Sequence, residues 1–222
     1  MREQEWLECA DPQEMLEFLR ARASERKARQ VAAGCCRRIW NLLTDERLEK
    51  AVEVAEVFAD GLCDRETIDF ARTDAAKARS KRFEWWNDCV NATVWAAYPS
   101  MCADHAFESA AFARLAIVKF TRAERRKKIT AMAESAAQAG VIRDLFGPLP
   151  FRAVVLDPGW LTSTVVDVAQ AIYNERTIDR LPILGDALED AGCSSQNILN
   201  HCRQPGVHVR GCWALDVLLG KE

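Results

Sequence analysis

Residues 24–61, SERKARQVAAGCCRRIWNLLTDERLEKAVEVAEVFADG, decide the fold. Within them, apolar side chains return every three or four positions, which is the spacing of one buried face of an α-helix. A first helix is predicted from Ser24, as N-cap, to about Leu43, and a second from Thr44 to a stop at Gly61. Because only a residue or two link these helices, they are expected to be antiparallel neighbours. The segment therefore predicts a helical hairpin.

The same helical periodicity continues over most of the chain. Further helices are predicted to begin after Asp11, after Asp64, and after Thr162 or Thr164. Asp and Thr are residue types that cap helix N-termini. The stretch 74–98 carries aromatic and apolar residues at steps of three and four, and Pro99 ends it. We therefore predict an all-α protein, either an irregular helical bundle or a short array of antiparallel helical hairpins.

The clearest interruption is the sequence GPLP at 147–150. It separates a helical region at 1–146 from a second helical region at 162–222, and the two are expected to pack as one unit. The residues between them, 147–161, form a crossing loop that contains Pro and Gly. Its part near 151–161, FRAVVLDPGWL, is predicted to be an ordered extended segment, because a strand without partners forms no stable sheet.

Composition limits the functional classes. The chain has 222 residues, 49% of them hydrophobic and 28% charged, with a net charge of −3. No global field draws it to nucleic acid or to a membrane, and its apolar runs are far shorter than the roughly 20 residues of a membrane-spanning helix. The acidic N-terminus lacks the apolar core of a secretion signal. The protein is predicted to be cytoplasmic, with most of its nine cysteines reduced.

A candidate zinc site lies near the C-terminus. Its residues are Cys193, His201, Cys202, His208 and Cys212. Zinc takes four nitrogen or sulfur ligands of these types in a tetrahedron. His208 and Cys212 are four positions apart, so a helix over them would place both on one face. A final helix is predicted from about Val209 to Leu219. Against the site, the segment has no Cys-x-x-Cys pair, and adjacent His201 and Cys202 point in different directions.

A nucleophilic cysteine is a second possibility for the same segment. His208 could activate Cys202 or Cys212, with Asp157 or Asp167 orienting the imidazole. However, the sequence contains no G-x-S-x-G, H-E-x-x-H or Walker-type glycine motif. Whether the protein is an enzyme therefore stays open, and the sequence favours a protein without catalytic activity.

Basic helices offer a third possibility, which is nucleic-acid binding. The densest cluster consists of Lys119, Arg122, Arg125, Arg126, Lys127 and Lys128. Such residues could contact phosphates. The alternative is an ordinary solvated helix face, and the negative net charge favours it.

Two stretches resemble a large family of uncharacterised bacterial proteins. At 5–47 the shared features are Trp-Leu, Asp-Pro, Met-Leu-Glu-Phe-Leu and Cys-Cys-Arg-Arg-Ile-Trp, and at 156–222 they are Leu-Asp-Pro-x-Trp-Leu-Thr and His-Val-Arg-Gly-Cys-Trp. Together they cover about half of the chain, and the resemblance implies no activity. The residues that it assigns to the family pattern are Cys36, Arg37, Arg38, Trp40, His201, Cys202, His208, Arg210, Cys212 and Trp213.

The leading functional prediction is a non-enzymatic helical protein-interaction or regulatory module. It would bind another protein through a groove between helical hairpins, and this predicts an exposed apolar or charged concavity. The alternatives are a zinc-stabilised helical domain, a nucleic-acid-binding protein and a Cys/His-dependent enzyme.

Overall fold

A computed structural model describes residues 1–80, 83–123 and 130–221. Over these residues the chain forms twelve α-helices, three single-turn 3-10 helices and no strand, which confirms the all-α prediction. Two compact units divide between Ile142 and Arg143, in the same helix as the predicted boundary at 146. Among the described helices, none is both long and apolar enough to cross a membrane.

The first unit contains seven complete helices and most of an eighth. They are α1 Glu3–Glu8, α2 Pro12–Leu19, α3 Glu25–Arg38, α4 Glu46–Ala59, α5 Arg65–Ala76, α6 Glu84–Ala96, α7 Ala103–Ala123 and α8 Ala131–Phe146. The predicted N-caps of α2, α3 and α5 are confirmed, because the side chains of Asp11, Ser24 and Asp64 each accept a hydrogen bond from a backbone N–H in the following turn.

Three predicted boundaries in this unit are wrong. Helix α3 does not reach Leu43, because a separate 3-10 turn, Trp40–Leu42, follows it. The backbone N–H of Thr44 donates to the carbonyl oxygen of Leu42 in this turn. The N-cap of α4 is therefore Asp45 and not Thr44. The stretch 74–98 likewise contains the end of α5 and a separate helix α6.

Helix α3 lies at the centre of the first unit. It packs against α4, α6 and α7, and the small residues Ala32 and Ala33 on it are almost completely buried. At its C-terminal end Arg37 and Arg38 leave the core and form two-point ion pairs, to Glu56 and Glu134 respectively.

The second unit begins in the last turn of α8. Its complete helices are α9 Ser163–Glu175, α10 Leu181–Asp190, α11 Gln196–Arg203 and α12 Trp213–Leu219. Their apolar faces share one core, and Thr162 caps α9. The segment 151–161 is irregular and ends in the 3-10 turn Pro158–Trp160, where the side chain of Asp157 accepts the N–H of Gly159.

The last helix begins later than predicted. Gly211 has a φ of +80°, a left-handed conformation that L-residues rarely adopt, so the helix cannot extend back to Val209. Instead α12 starts at Trp213, with Cys212 as its N-cap. The prediction that a helix places His208 and Cys212 on one face is therefore wrong, since His208 lies in the loop before it.

Candidate functional site

The candidate site in the second unit is built around a buried carboxylate, and we call it the Asp144 cluster: Asp144, His201, His208 and Cys212. Asp144 lies in the last turn of α8, and its side chain is only 4% exposed. Its Oδ1 lies 2.6 Å from His208 Nδ1 and 3.4 Å from His201 Nε2. Its Oδ2 accepts the backbone N–H of Val209 at 2.8 Å. The carboxylate therefore connects α8 to α11 and to the loop before α12.

The cluster contains only part of the predicted zinc set. One donor atom each from His201, Cys212 and Asp144 lie within 4.8 Å of one another. The predicted ligands Cys193, Cys202 and His208 are outside this group of three donor atoms. The sequence reasoning missed Asp144, which lies in another helix. Its signal is a lone acidic residue within the apolar run VIRDLF at 141–146.

The hydrogen bonds of His201 fix which of its nitrogens carries the proton. Its Nδ1 accepts the indole N–H of Trp213 at 2.9 Å, and the side-chain amide nitrogen of Gln204 lies 3.3 Å from the same atom. Burial lowers the pKa of His201 to about 3, so the ring is neutral. A neutral imidazole carries one proton. That proton is therefore on Nε2, which faces Asp144.

Zinc at this cluster stays a prediction, and the present hydrogen bonds oppose it. Zinc binding to Nε2 of His201 would move the ring proton to Nδ1, where it would face the N–H of Trp213. The Cys212 thiol would also have to ionise, although burial raises its pKa well above 9.0. Zinc therefore requires the loss of the Cys212 proton, a shift of the His201 ring proton to Nδ1, and the loss of the Trp213 hydrogen bond.

The thiols of this unit do not have the surroundings of nucleophilic cysteines. Cys202 and Cys212 are buried, and burial raises the pKa of Cys202 to about 12. A reactive cysteine needs the opposite, an accessible thiol with a lowered pKa. The carboxylate beside His208 is Asp144, whereas Asp157, one of the two predicted orienters, caps a turn. The geometry of the second unit therefore gives no support to the predicted activation of Cys202 or Cys212 by His208.

Most of the predicted nucleic-acid cluster lies outside the described residues. This applies to Arg125, Arg126, Lys127 and Lys128. Lys119 lies on α7, 2.9 Å from Asp88 and 3.6 Å from Glu84 on α6, and Arg122 is exposed near the end of α7. Because Lys119 is already paired with carboxylates, it contributes little positive charge to a phosphate-binding surface.

A second candidate site is a cleft of about 370 Å³ in the first unit, which we call the arginine cleft. It lies where α3 and α5 begin, where α4 ends and where the chain leaves α6. Its lining residues are Glu25, Arg26, Arg29, Phe58, Ala59, Arg65, Pro99 and Ser100. The cleft combines three guanidinium groups with an apolar ring.

Arg29 forms a rigid part of this cleft. It is 1% exposed, and its guanidinium donates to the carbonyl oxygens of Tyr98 and Pro99, at 2.5 and 3.1 Å, and to Glu25 Oε1 at 3.0 Å. The guanidinium also lies over the ring of Phe58. Burial lowers the pKa of Arg29, but a guanidinium stays charged in proteins. Arg29 therefore gives the cleft a permanent positive charge.

The other two arginines of the cleft differ in accessibility. The Arg26 side chain is 13% exposed and donates to the buried carboxylate of Asp60 at 3.2 Å. The Arg65 side chain is 73% exposed, and its Nε is 3.9 Å from Asp69 Oδ2, beyond hydrogen-bond distance. Arg65 is therefore the guanidinium best placed to contact a bound molecule.

Comparison with known proteins gives no functional assignment. No family model, no curated protein and no solved structure matches the chain. Function must therefore be argued from the two sites.

Proposed function

We propose that the protein is a protein-interaction module that binds a carboxylate-bearing segment of a partner protein in the arginine cleft. The observation that carries this proposal is an open cleft with three guanidinium groups on its lining, of which Arg65 is largely exposed. The planar fork of a guanidinium matches the two oxygens of a carboxylate.

The lining also defines the chemistry of the bound segment. The donors of Arg29 already serve Glu25 and backbone carbonyls, so Arg29 contributes charge rather than a direct hydrogen bond. Arg65 and Ser100 are both exposed and supply the polar contacts, while Phe58 and Pro99 supply an apolar wall. An acidic side chain next to an apolar one fits this combination.

A protein segment suits the cleft better than a nucleic acid. A volume of about 370 Å³ is at the small end of ligand pockets and accommodates one or two side chains. A nucleic-acid backbone is bound instead along an extended positive surface. Here Glu25 and Asp60 neutralise part of the positive charge of Arg29 and Arg26.

The test is the binding of two synthetic peptides that differ only in charge. Fluorescein-labelled Glu-Leu-Glu-Leu-Glu and Gln-Leu-Gln-Leu-Gln are titrated with the full chain, and fluorescence anisotropy gives each Kd. The acidic peptide is expected to bind more tightly, with a Kd that increases with salt. The substitution Arg65→Glu should raise that Kd at least about tenfold, because it replaces an attractive contact with a repulsive one.

The matched control is Arg180→Glu, which makes the same charge change at an exposed position of the second unit. It should leave the Kd within about twofold, since Arg180 does not line the cleft. Equal binding of both peptides would contradict the proposal, as would an Arg65→Glu variant that binds like the control. Displacement of the acidic peptide by a single-stranded oligonucleotide at low salt would favour nucleic acid instead.

A further inference from the structure

One thiol of the first unit differs from the other thiols in its exposure. All nine cysteines lie in the described part of the chain and all are free, and among them Cys102 is the exposed one. Cys9 and Cys63 are partly buried, and the others are buried. A reagent in solution therefore reaches the sulfur of Cys102 more easily than the sulfur of any other cysteine.

Cys102 lies beside a histidine whose ring is held by aromatic side chains. The Sγ of Cys102 is 3.5 Å from Nδ1 of His105. The His105 ring stacks on Trp95, with ring centroids 5.3 Å apart, and contacts the ring of Tyr98 at a centroid distance of 4.6 Å. A neutral imidazole with its proton on Nε2 accepts a hydrogen at Nδ1. The fold therefore places a proton acceptor next to the exposed thiol.

Positively charged groups also lie close to Cys102. The residue immediately precedes α7, and its carbonyl oxygen accepts the N–H of Ala106 in the first turn of that helix. The N-terminus of a helix carries a partial positive charge. The guanidinium of Arg20, at the end of α2, is near enough to attract a thiolate at Cys102, and it forms an ion pair with Asp104. A histidine, a guanidinium and a helix N-terminus are the surroundings in which reactive cysteines occur.

The two partly buried thiols have different neighbours. The Sγ of Cys9 lies 3.8 Å from a carboxylate oxygen of Glu14, whose negative charge opposes a thiolate. The Sγ of Cys63 lies 3.9 Å from the carbonyl oxygen of Val54, and burial raises the pKa of this thiol. Cys9 and Cys63 therefore serve as references for a thiol that the fold does not activate.

We propose that Cys102 is a modification site, at which the thiol exchanges with a small disulfide from solution with the help of His105. The proton of the thiol passes to Nδ1 of His105 while Sγ attacks one sulfur of the disulfide and forms a new S–S bond. The S–S bond of the disulfide breaks, and the departing sulfur takes the electron pair and then a proton. Cys102 is thereby oxidised to a mixed disulfide, and the departing half of the reagent is reduced to a thiol.

This site is separate from the arginine cleft. The lining of the cleft includes Ser100 but neither Cys102 nor His105. Exchange at Cys102 does not require a bound peptide, so this proposal and the proposed function can fail independently of each other.

The test measures exchange at every cysteine of the folded chain in one experiment. The full chain is incubated with an excess of oxidised glutathione, samples are quenched with acid, and peptide mapping by mass spectrometry gives a rate for each thiol. Cys102 should be modified at least about tenfold faster than Cys9 or Cys63. It should also react at least about fivefold faster than the same cysteine in a synthetic peptide of residues 100–106, in which no fold holds His105 and Arg20 in place.

A variant of the histidine separates proton transfer from a structural role. His105→Gln keeps a polar side chain but removes the base, so it should slow exchange at Cys102 at least about fivefold at about pH 7. At about pH 9.5, where cysteine thiols ionise without a base, the rate should stay within about twofold of wild type. The matched control, Cys63→Ser, should leave the rate at Cys102 within about twofold at both pH values.

Three results would overturn the proposal. The first is a Cys102 that reacts no faster than Cys63 or than the peptide, which needs no variant to observe. The second is a His105→Gln variant that reacts like wild type at neutral pH. The third is a variant that is slowed equally at both pH values, because that would indicate a structural role of the ring rather than proton transfer.

Discussion

Two backbone N–H groups make a natural comparison between the units. In the first unit, Met101 donates to Glu25, whose carboxylate pairs with the buried Arg29. In the second unit, Val209 donates to Asp144, whose carboxylate pairs with the half-buried His208. Each arrangement connects a loop to a helix through a carboxylate that also binds a cation.

The difference is the identity of the cation. A guanidinium keeps its charge throughout the pH range in which proteins are folded, whereas an imidazolium titrates near neutrality. The N–H of Met101 is therefore held beside a permanent cation, and the N–H of Val209 beside a titratable one. In this protein a permanent charge lines the arginine cleft, and a titratable charge lies beside the loop before α12.

The largest predicted effect is the removal of the permanent charge. Arg29→Leu leaves the carbonyls of Tyr98 and Pro99 without their donor. Loss of one partner from a buried charged network costs about 3–5 kcal/mol, and the half-exposed carboxylate of Glu25 favours the lower end. Urea denaturation, with hydrogen exchange in α3 identifying the unit that unfolds, measures this loss.

The control replaces the exposed arginine of the same cleft, Arg65, with Leu. Arg65→Leu removes an exposed guanidinium and should change the free energy of unfolding by no more than about 0.5 kcal/mol. If Arg29→Leu lowered the free energy of unfolding no more than Arg65→Leu, the hydrogen bonds of Arg29 would not stabilise the loop at Met101.

An effect of similar size is predicted at Gly147, which lies against Trp213 of the Trp213–His201 pair. Gly147 has a φ of +50°, and a Cβ on it would overlap the indole of Trp213. Gly147→Ala combines left-handed strain with overpacking and should destabilise the second unit by about 3 kcal/mol. Thermal unfolding followed by hydrogen exchange in α12 measures it.

Gly206→Ala is the matched control in the same unit. Nothing lies within 4 Å of its added Cβ, so a change of at most about 0.5 kcal/mol is expected. If both variants lost the same free energy of unfolding, close packing between Gly147 and Trp213 would not be what positions the Asp144 cluster.

The smallest predicted effect concerns zinc. Because the N–H of Trp213 occupies His201 Nδ1, purified protein should contain less than about 0.1 equivalent of zinc. Added zinc should leave the Tm of the second unit unchanged, since only a ligand that binds the folded state raises it. One equivalent of zinc, together with loss of the Trp213 indole hydrogen bond by NMR, would instead establish a metal centre.

The sequence predicts the helical architecture better than the sites. Regular apolar spacing and capping residues such as Asp11 and Asp64 are local signals, and they locate helices correctly. The late start of α12 depends on the backbone conformation of Gly211, which spacing alone does not specify. Asp144 is 57 or more residues from its partners His201, His208 and Cys212, so only the folded chain brings them together.

The arginine cleft likewise forms only when folding brings together residues that are distant in the sequence. Arg26 and Arg29 belong to a run of charged residues at the start of α3, yet Arg29 is buried beneath the segment after α6. Residue type predicts exposure for an arginine. Here that prediction is wrong for Arg29, because backbone carbonyls and Glu25 satisfy its donors.

The most direct test compares the two N–H groups in one experiment. Hydrogen exchange at Met101 and Val209 is measured in the same wild-type sample at about pH 6 and pH 8.5, and each rate is divided by its intrinsic rate. The protection of Val209 should fall at least about fivefold at the higher pH while that of Met101 stays constant. Equal changes at both amides, or no change at either, would contradict the distinction between a permanent and a titratable cation.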